Sequence, residues 1–247
     1  MGAFPEIGVQ SYCYREFHDL HDLAKAVKDT GLRKLELCAS HIDFSKREQH
    51  LPVIKSLTGD GLKITSTGVN HVPADEEKAR PLFDFLRAAD IKQMSVFFPI
   101  DEFPDCLHTA EKLAEEYDVR LAIHNHGGSC WLGNIETLRY VIRHGSPRIG
   151  LMLDTAWAMH TGTPVRRYIE EFHDRLFGVH FKDFSFNRAG QWKDESLGEG
   201  NLDLIDLKKA LDEVGFDGEP FLEFEGDASN PVPALKKCVE KLQEIFG

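Results

Sequence analysis

Residues 120–128 read RLAIHNHGG, an apolar run of strand character that ends in two imidazoles, His124 and His126, one residue apart. Alternate residues of a strand share a face, so both rings can address one point. Other apolar runs end in the same manner. The second brings Glu36, the third Asn70 and His71, the sixth Asp154, the seventh His180 and Lys182, and the eighth Glu223 and Glu225. Charged side chains rarely face a core unless they are paired or ligating. Strand alternation lets His124, Asp154, His180 and Glu223 all face inward. Two imidazoles and two carboxylates make a mixed N/O donor set suited to one divalent ion such as Mn²⁺, Zn²⁺, Co²⁺ or Mg²⁺.

Each of these residues also has a plainer role open to it. A single strand-end histidine is commonly a hydrogen-bonded core residue, Asp154 can cap the helix that follows it, and Glu36 can pair with Lys34. Four such residues on four successive strands favour the metal site. Lys182 lies two residues beyond His180 and can steady an enolate oxygen or form a salt bridge to Glu223, Glu225 or Asp183. His126, when not a ligand, is an acid/base candidate near neutral pH. Glu223, Lys182 and His126 are therefore the catalytic candidates. Trp131, Trp157 and Trp192 all follow strands and can stack on sugar rings or simply seal the molecule. With Glu36 and His71 they form the expected substrate-contact set.

To bring these residues together the chain must supply strands that all end at one face. Eight short runs recur: EIGVQSY, KLELCA, KITSTGV, QMSVFF, RLAIHNH, IGLMLDT, LFGVHFK and PFLEFEG. Segments of helical periodicity separate them, among them DLHDLAKAVKDTG, DCLHTAEKLAEEY and NIETLRYVIRHG, and Gly31, Gly145 and Gly215 stand where left-handed helix caps are expected. Until the seventh, strands start at intervals of roughly 27–30 residues, the length of one strand plus one crossover helix. Eight such units without a linker predict an α/β fold, a single (β/α)₈ barrel over residues 1–247. A doubly wound sheet would want a glycine-rich phosphate turn after its first strand, and GVQSYCYREF has none. After the seventh strand, FSFNRAGQWKDESLGEGN is too long for an ordinary connection and reads as a lid or substrate loop at the catalytic face.

Composition narrows the partners. Of 247 residues, 41 are acidic and 29 basic, a net charge of −12, which argues against nucleic acid or an anionic membrane. Cys13, Cys38, Cys106, Cys130 and Cys238 are scattered and odd in number, as expected of reduced thiols. There is no leader pattern, no apolar run of spanning length, and no Ser or Thr at residue 6 to complete a myristoylation motif at Gly2. The cytoplasm is the default location, and a homo-oligomer is compatible with the fold.

The motifs LAIHNHGG, GLMLDTAWAMHTG, GVHFKDF, LGEGNLDL and FLEFEGD resemble those of the xylose isomerase-like barrels, which include sugar phosphate isomerase/epimerases, inosose dehydratases and endonuclease IV. By this resemblance the family's metal-binding Asp, His and Glu fall on Asp154, His180 and Glu223. In tagatose- and psicose-type 3-epimerases the fifth strand supplies a glutamate that works with the eighth-strand glutamate across the substrate carbon. Here that position is His124, closer to the histidine-rich strand end of inosose dehydratases. The endonuclease IV pattern D-x-x-H is broken by Trp157. No Arg or Lys cluster accompanies the glycines after strands seven and eight, so an unphosphorylated substrate is expected. The resemblance implies a divalent-metal-dependent carbohydrate enzyme. The first reading is an isomerase or epimerase that removes a proton beside the carbonyl of a keto or hydroxyketo sugar through a metal-stabilised enediolate. The second is a lyase that loses a β-oxygen from the same enolate, by inosose-type dehydration or keto-glycoside cleavage. The third is a barrel that binds a sugar without catalysis.

Overall fold

A computed structural model describes residues 4–128 and 130–247; Gly2, considered above for myristoylation, lies outside the described residues. Eight parallel strands close into a barrel. They are β1 (Gly8–Gln10), β2 (Lys34–Leu37), β3 (Lys63–His71), β4 (Gln93–Phe97), β5 (Arg120–His124), β6 (Ile149–Asp154), β7 (Leu176–Phe181) and β10 (Glu219–Leu222), with β10 paired to β1. These are the eight runs expected from the sequence. The helices outside are α1 (Leu20–Asp29), α2 (Arg47–Gly59), α3 (Glu76–Ala88), α4 (Asp105–Tyr117), α5 (Ile135–His144), α6 (Thr155–His160), α7 (Val165–Phe172), α8 (Leu204–Glu213) and α9 (Val232–Phe246).

Local chemistry sets the helix starts. Asp19, Asp75, Asn134 and Asp203 each place a side-chain oxygen on a backbone N–H of the first turn of α1, α3, α5 and α8, satisfying donors that a helix leaves open. Leu20, Leu23, Ala24 and Val27 then form the buried stripe of α1, the three-to-four spacing that seats a helix on a sheet. At the helix ends, Gly31 and Gly215 take the left-handed conformation, with φ of 90° and 64°. Gly145 does not: its φ is −76° and the chain leaves α5 in extended form, so its lack of a side chain is not used for a left-handed cap there.

Most of the core lies between helices and barrel. Inside the barrel a separate small cluster of Ala122, Met152, Phe177 and Phe221 forms an apolar plug. Ala122, Met152 and Phe221 each precede a member of the expected metal quartet by two residues, so they share its face and form a floor beneath it. A barrel interior of this width is filled by side chains rather than open.

The long segment after β7 is more ordered than a bare loop. It contains an antiparallel hairpin, β8 (Asp183–Phe186) paired with β9 (Trp192–Glu195). Its return is anchored by the buried carboxylate of Asp183, which accepts hydrogen bonds from the backbone N–H groups of Gly198, Gly200 and Leu202 at 2.9–3.0 Å. Gly200 is required by this cradle, because a Cβ there would overlap the Asp183 carboxylate. The five cysteines are all free. Among the described residues no helix is long and apolar enough to cross a membrane.

Candidate metal centre and active site

His124 and Asp154 end β5 and β6, His180 is the penultimate residue of β7 and Glu223 follows β10, and one donor atom from each lies within 4.8 Å of the others. All four side chains are buried. The atoms that converge are His124 Nε2, Asp154 Oδ2, His180 Nδ1 and Glu223 Oε2, and none of them has a hydrogen-bond partner. Some approach closely, with 2.8 Å between His180 Nδ1 and Glu223 Oε2 and 3.5 Å between His124 Nε2 and Asp154 Oδ2, but without hydrogen-bonding geometry. Buried polar atoms are normally satisfied. Four that are not, all aimed at one point and all of ligating type, fit a divalent ion.

The opposite atoms of Asp154 and His180 are fixed by the protein. Asp154 Oδ1 accepts from the N–H of Trp157 at 2.8 Å, so the oxygen that caps α6 is not the unpartnered Oδ2 that faces the quartet. Asn125, between the two histidines, points away from the site and makes a two-way bond with the Asp154 backbone: Asp154 N–H donates to Oδ1 at 2.8 Å, and Nδ2 donates to the Asp154 carbonyl at 3.0 Å. That locks the ends of β5 and β6 together. Thr155 makes the next tie, donating its hydroxyl to the Lys182 carbonyl at 2.6 Å and accepting from the Lys182 N–H at 3.0 Å. Gly127 lies so close to the indole of Trp157 that a Cβ would overlap it, which accounts for the first glycine after the two histidines.

Glu36 departs from its expected role. It is fully buried and meets no open cavity, because its four acceptor positions are taken. Oε2 accepts from Gln10 Nε2 and His180 Nε2, both at 2.6 Å, and Oε1 from Ser66 Oγ at 2.7 Å and Ser95 Oγ at 2.5 Å. It is therefore fully engaged and does not line the cavity over the quartet. Nor does it pair with Lys34, which instead meets Glu219 at 2.5 Å. With Nε2 donating to Glu36, the His180 ring turns Nδ1 toward the other three ligands, the outer arrangement that orients metal-binding histidines. Burial alone would push this ring's pKa down, but Glu36 and Glu223 on either side lift it to about 10. Glu36 is held below the usual carboxylate range, His180 and the serine hydroxyls outweighing its burial.

Lys182 is buried and lies 3.4 Å from Glu223 Oε1, with Glu225 in direct contact. Glu223, Asp154, Glu225 and Asp194 raise its pKa against the cost of burial and keep it cationic. Lys182 and His180 in turn hold Glu223 well below its ordinary value and ionised. Asp194, from β9, accepts from the Glu225 N–H, and burial pushes its carboxyl up to about 7. The salt-bridge reading of Lys182 thus describes its ground state, with Glu223 and Glu225 as partners; Asp183 is spent on the hairpin.

A cavity of about 570 Å³ opens above the quartet, and His124, His126, Trp157, Glu223 and Glu225 line it. The His126 ring packs 4.2 Å from Trp157, and partial burial pushes its pKa down. Trp131 and Trp192 line an adjoining cavity with Trp157, while His71 stands in a different groove, 3.2 Å from Glu102 and away from the quartet. That groove shares Ala39, Ser40 and Val69 with the cavity over the quartet, so His71 lies beside the cavity rather than in its wall. Gln10, Ser66, Ser95 and Asn125 were not singled out by the sequence. They come from separate elements, and nothing local marks them.

Residues 100–245, which include all four quartet residues, match the family described as xylose isomerase-like TIM barrel. Among curated proteins, the inosose dehydratase of Lacticaseibacillus casei is 24% identical over 153 residues, 55% of this chain and 51% of that protein. The chain spans about half the length of the curated relatives it matches. Among solved structures, the probable 3-DHS dehydratase AsbF of Bacillus anthracis superposes with a TM-score of 0.77 at 15% identity, covering 97% of this chain and 99% of that one. The IolI protein, solved with a bound zinc atom, gives a TM-score of 0.76 at 14% identity over 98% and 99% of the two chains. These two likenesses establish a shared fold. The family match and the closed eight-stranded barrel together make the chain a member of the xylose isomerase-like TIM barrel family.

Proposed function

We propose that this protein is a divalent-metal-dependent enzyme that removes a proton beside the carbonyl of a keto sugar and then expels the β-oxygen. The observation that carries the reading is the convergence of four buried, unpartnered donor atoms from His124, Asp154, His180 and Glu223 beneath an open cavity. A metal held by these residues would act as a Lewis acid, making the carbon beside the carbonyl more acidic and offsetting charge on the enolate oxygen.

The protein's own groups supply the proton movements. Glu223, kept ionised by Lys182 and His180, is the base for the C–H proton. Lys182 places a fixed positive charge beside that carboxylate, where enolate charge develops. His126 reaches the same cavity from the β5 side and is placed to protonate the departing oxygen. The bonds balance without an oxidant: a C–H and a C–O bond break, a C=C bond forms, and the proton leaves with the expelled oxygen.

The sequence ranks epimerisation first and elimination second; the position of His124 supports the reverse order. Symmetric epimerisation uses two carboxylates on opposite faces of one carbon, and the fifth strand here offers an imidazole whose free nitrogen faces the metal position. Epimerisation stays as a second reading because His126 lines the same cavity as Glu223 and can return a proton there. Incubating the metal-loaded protein with a panel of keto sugars and keto-glycosides in D₂O separates the two. Enone formation supports elimination, deuterium in recovered sugar or its epimer supports epimerisation, and neither product from any substrate refutes the proposal.

A further inference from the structure

Beside the catalytic cavity lies a second one, of about 670 Å³, and the two share Phe97, His126, Cys130 and Trp157 in their walls. All three tryptophans of the chain line the second cavity. Its walls are already held in place. The Trp131 Nε1–H donates to the Phe98 carbonyl at 2.7 Å and its ring stands edge-on to Phe103 at 4.9 Å. Trp192 stacks on Phe184 with centroids 4.6 Å apart and planes 16° apart, and Trp157 meets both rings edge-on. Nevertheless Trp192 is 46% exposed and Ile100, at the rim, 65%. Exposed rigid apolar surface that is continuous with a catalytic cavity is what a ring-shaped ligand needs, because little ordering is lost on binding.

We infer that this aromatic cavity is a subsite for a second ring of the substrate, joined to the keto sugar through the oxygen that is expelled, so that the natural substrate is a keto-glycoside rather than a free monosaccharide. The inference rests on the elimination reading above. The geometry of the shared wall gives it direction: the sugar that loses a proton occupies the cavity over the quartet, and the departing ring passes His126 and Trp157 to lie among the three indoles. The ring can be a second sugar or an aromatic aglycone, since both present an apolar face. Among the described residues no Lys or Arg lines this cavity and Asp101 does, which disfavours a phosphorylated group there.

The test compares the methyl, glucosyl and phenyl glycosides of 3-keto-glucose with the metal-loaded protein. Loss of the C2 proton and of the C1–O bond would release methanol, glucose or phenol. Wild type is expected to favour the glucosyl or phenyl compound over the methyl one in kcat/KM. In Trp192→Ala and in Ile100→Ala that preference should shrink, about tenfold for the tryptophan, and Trp192→Phe should restore most of it. The larger effect on the glucosyl or the phenyl compound identifies the kind of ring. Equal kcat/KM for methyl and ring-bearing glycosides, or an unchanged ratio in the variants, overturns the inference while leaving the proposed reaction intact. If no keto-glycoside is turned over, binding of unoxidised phenyl β-glucoside decides separately. Saturable quenching of tryptophan fluorescence whose half-saturation concentration rises in Ile100→Ala and Trp192→Ala supports the subsite, and its absence in wild type overturns it.

Discussion

Glu36→Gln removes one negative charge from beneath the candidate metal centre while changing almost nothing else. Two of the four donors around Glu36 are serine hydroxyls, Ser66 and Ser95 on Oε1, and these can turn to accept from an amide. The other two, Gln10 Nε2 and His180 Nε2, both meet Oε2 and can keep an amide oxygen there. The hydrogen bonds alone should cost about 1 kcal/mol, but the metal-free variant also loses a buried charge partner of protonated His180, which brings the loss to roughly 3–5 kcal/mol. His180 is weakened as a ligand as well. Its Nε2–H would donate to a neutral amide in place of a carboxylate, leaving Nδ1 a poorer electron donor, and changes of this outer kind cost roughly 10–100-fold in metal affinity, or about 1.4–2.7 kcal/mol. Titration of stripped wild type and Glu36→Gln with Mn²⁺ or Zn²⁺ in a calorimeter reads that ratio, and urea melts of both confirm the intact fold. A folded variant whose affinity falls less than about twofold would refute the orienting role given to Glu36.

Protonation of His180 makes the metal-free protein pH-sensitive. Its pKa is lifted to about 10, against about 6.5 in an unfolded chain. The stability this contributes is complete below the unfolded value and is lost as pH rises through about 10. Urea midpoints of the stripped protein should therefore fall across that interval, and a midpoint that rises would contradict the assignment. The same proton must leave when a metal takes Nδ1, so binding should release about one proton near pH 8, read by calorimetry in buffers of different ionisation enthalpy. Asp183→Ala should cost about 3 kcal/mol or more, because three backbone donors from Gly198, Gly200 and Leu202 lose their acceptor. Hydrogen exchange should locate the loss at residues 183–202, with the amides of β5 and β6 still protected.

The barrel and the convergence of His124, Asp154, His180 and Glu223 were both legible in the sequence because each repeats a simple period. Strands of alternating residues recur at near-constant spacing, and charged residues at inward positions of β5 to β7 and after β10 cannot be core. Glu36 was visible as an inward acid, but its use was not, since its partners come from positions as far apart as Gln10 and His180. His71 shows the same limit: a residue at the end of a strand can turn outward, and here it meets Glu102. The long segment after β7 declared its length but not its hairpin, which depends on Asp183 gathering three N–H groups up to Leu202. Asn125 and Thr155 tie neighbouring strand ends through backbone groups, which leave no trace in side-chain periodicity.

Metal content of the purified protein bears most directly on the whole account, with Asp154→Asn as the partner variant. Asparagine keeps the oxygen that caps α6 at the Trp157 N–H and replaces the free Oδ2 with a group that does not ligate. Elemental analysis of protein prepared without chelator should find close to one divalent ion per chain in wild type and little in Asp154→Asn, with both equally folded. Wild-type protein that takes up no Mn²⁺, Co²⁺, Zn²⁺ or Mg²⁺ even when these are supplied in excess would contradict the metal centre and the chemistry built on it.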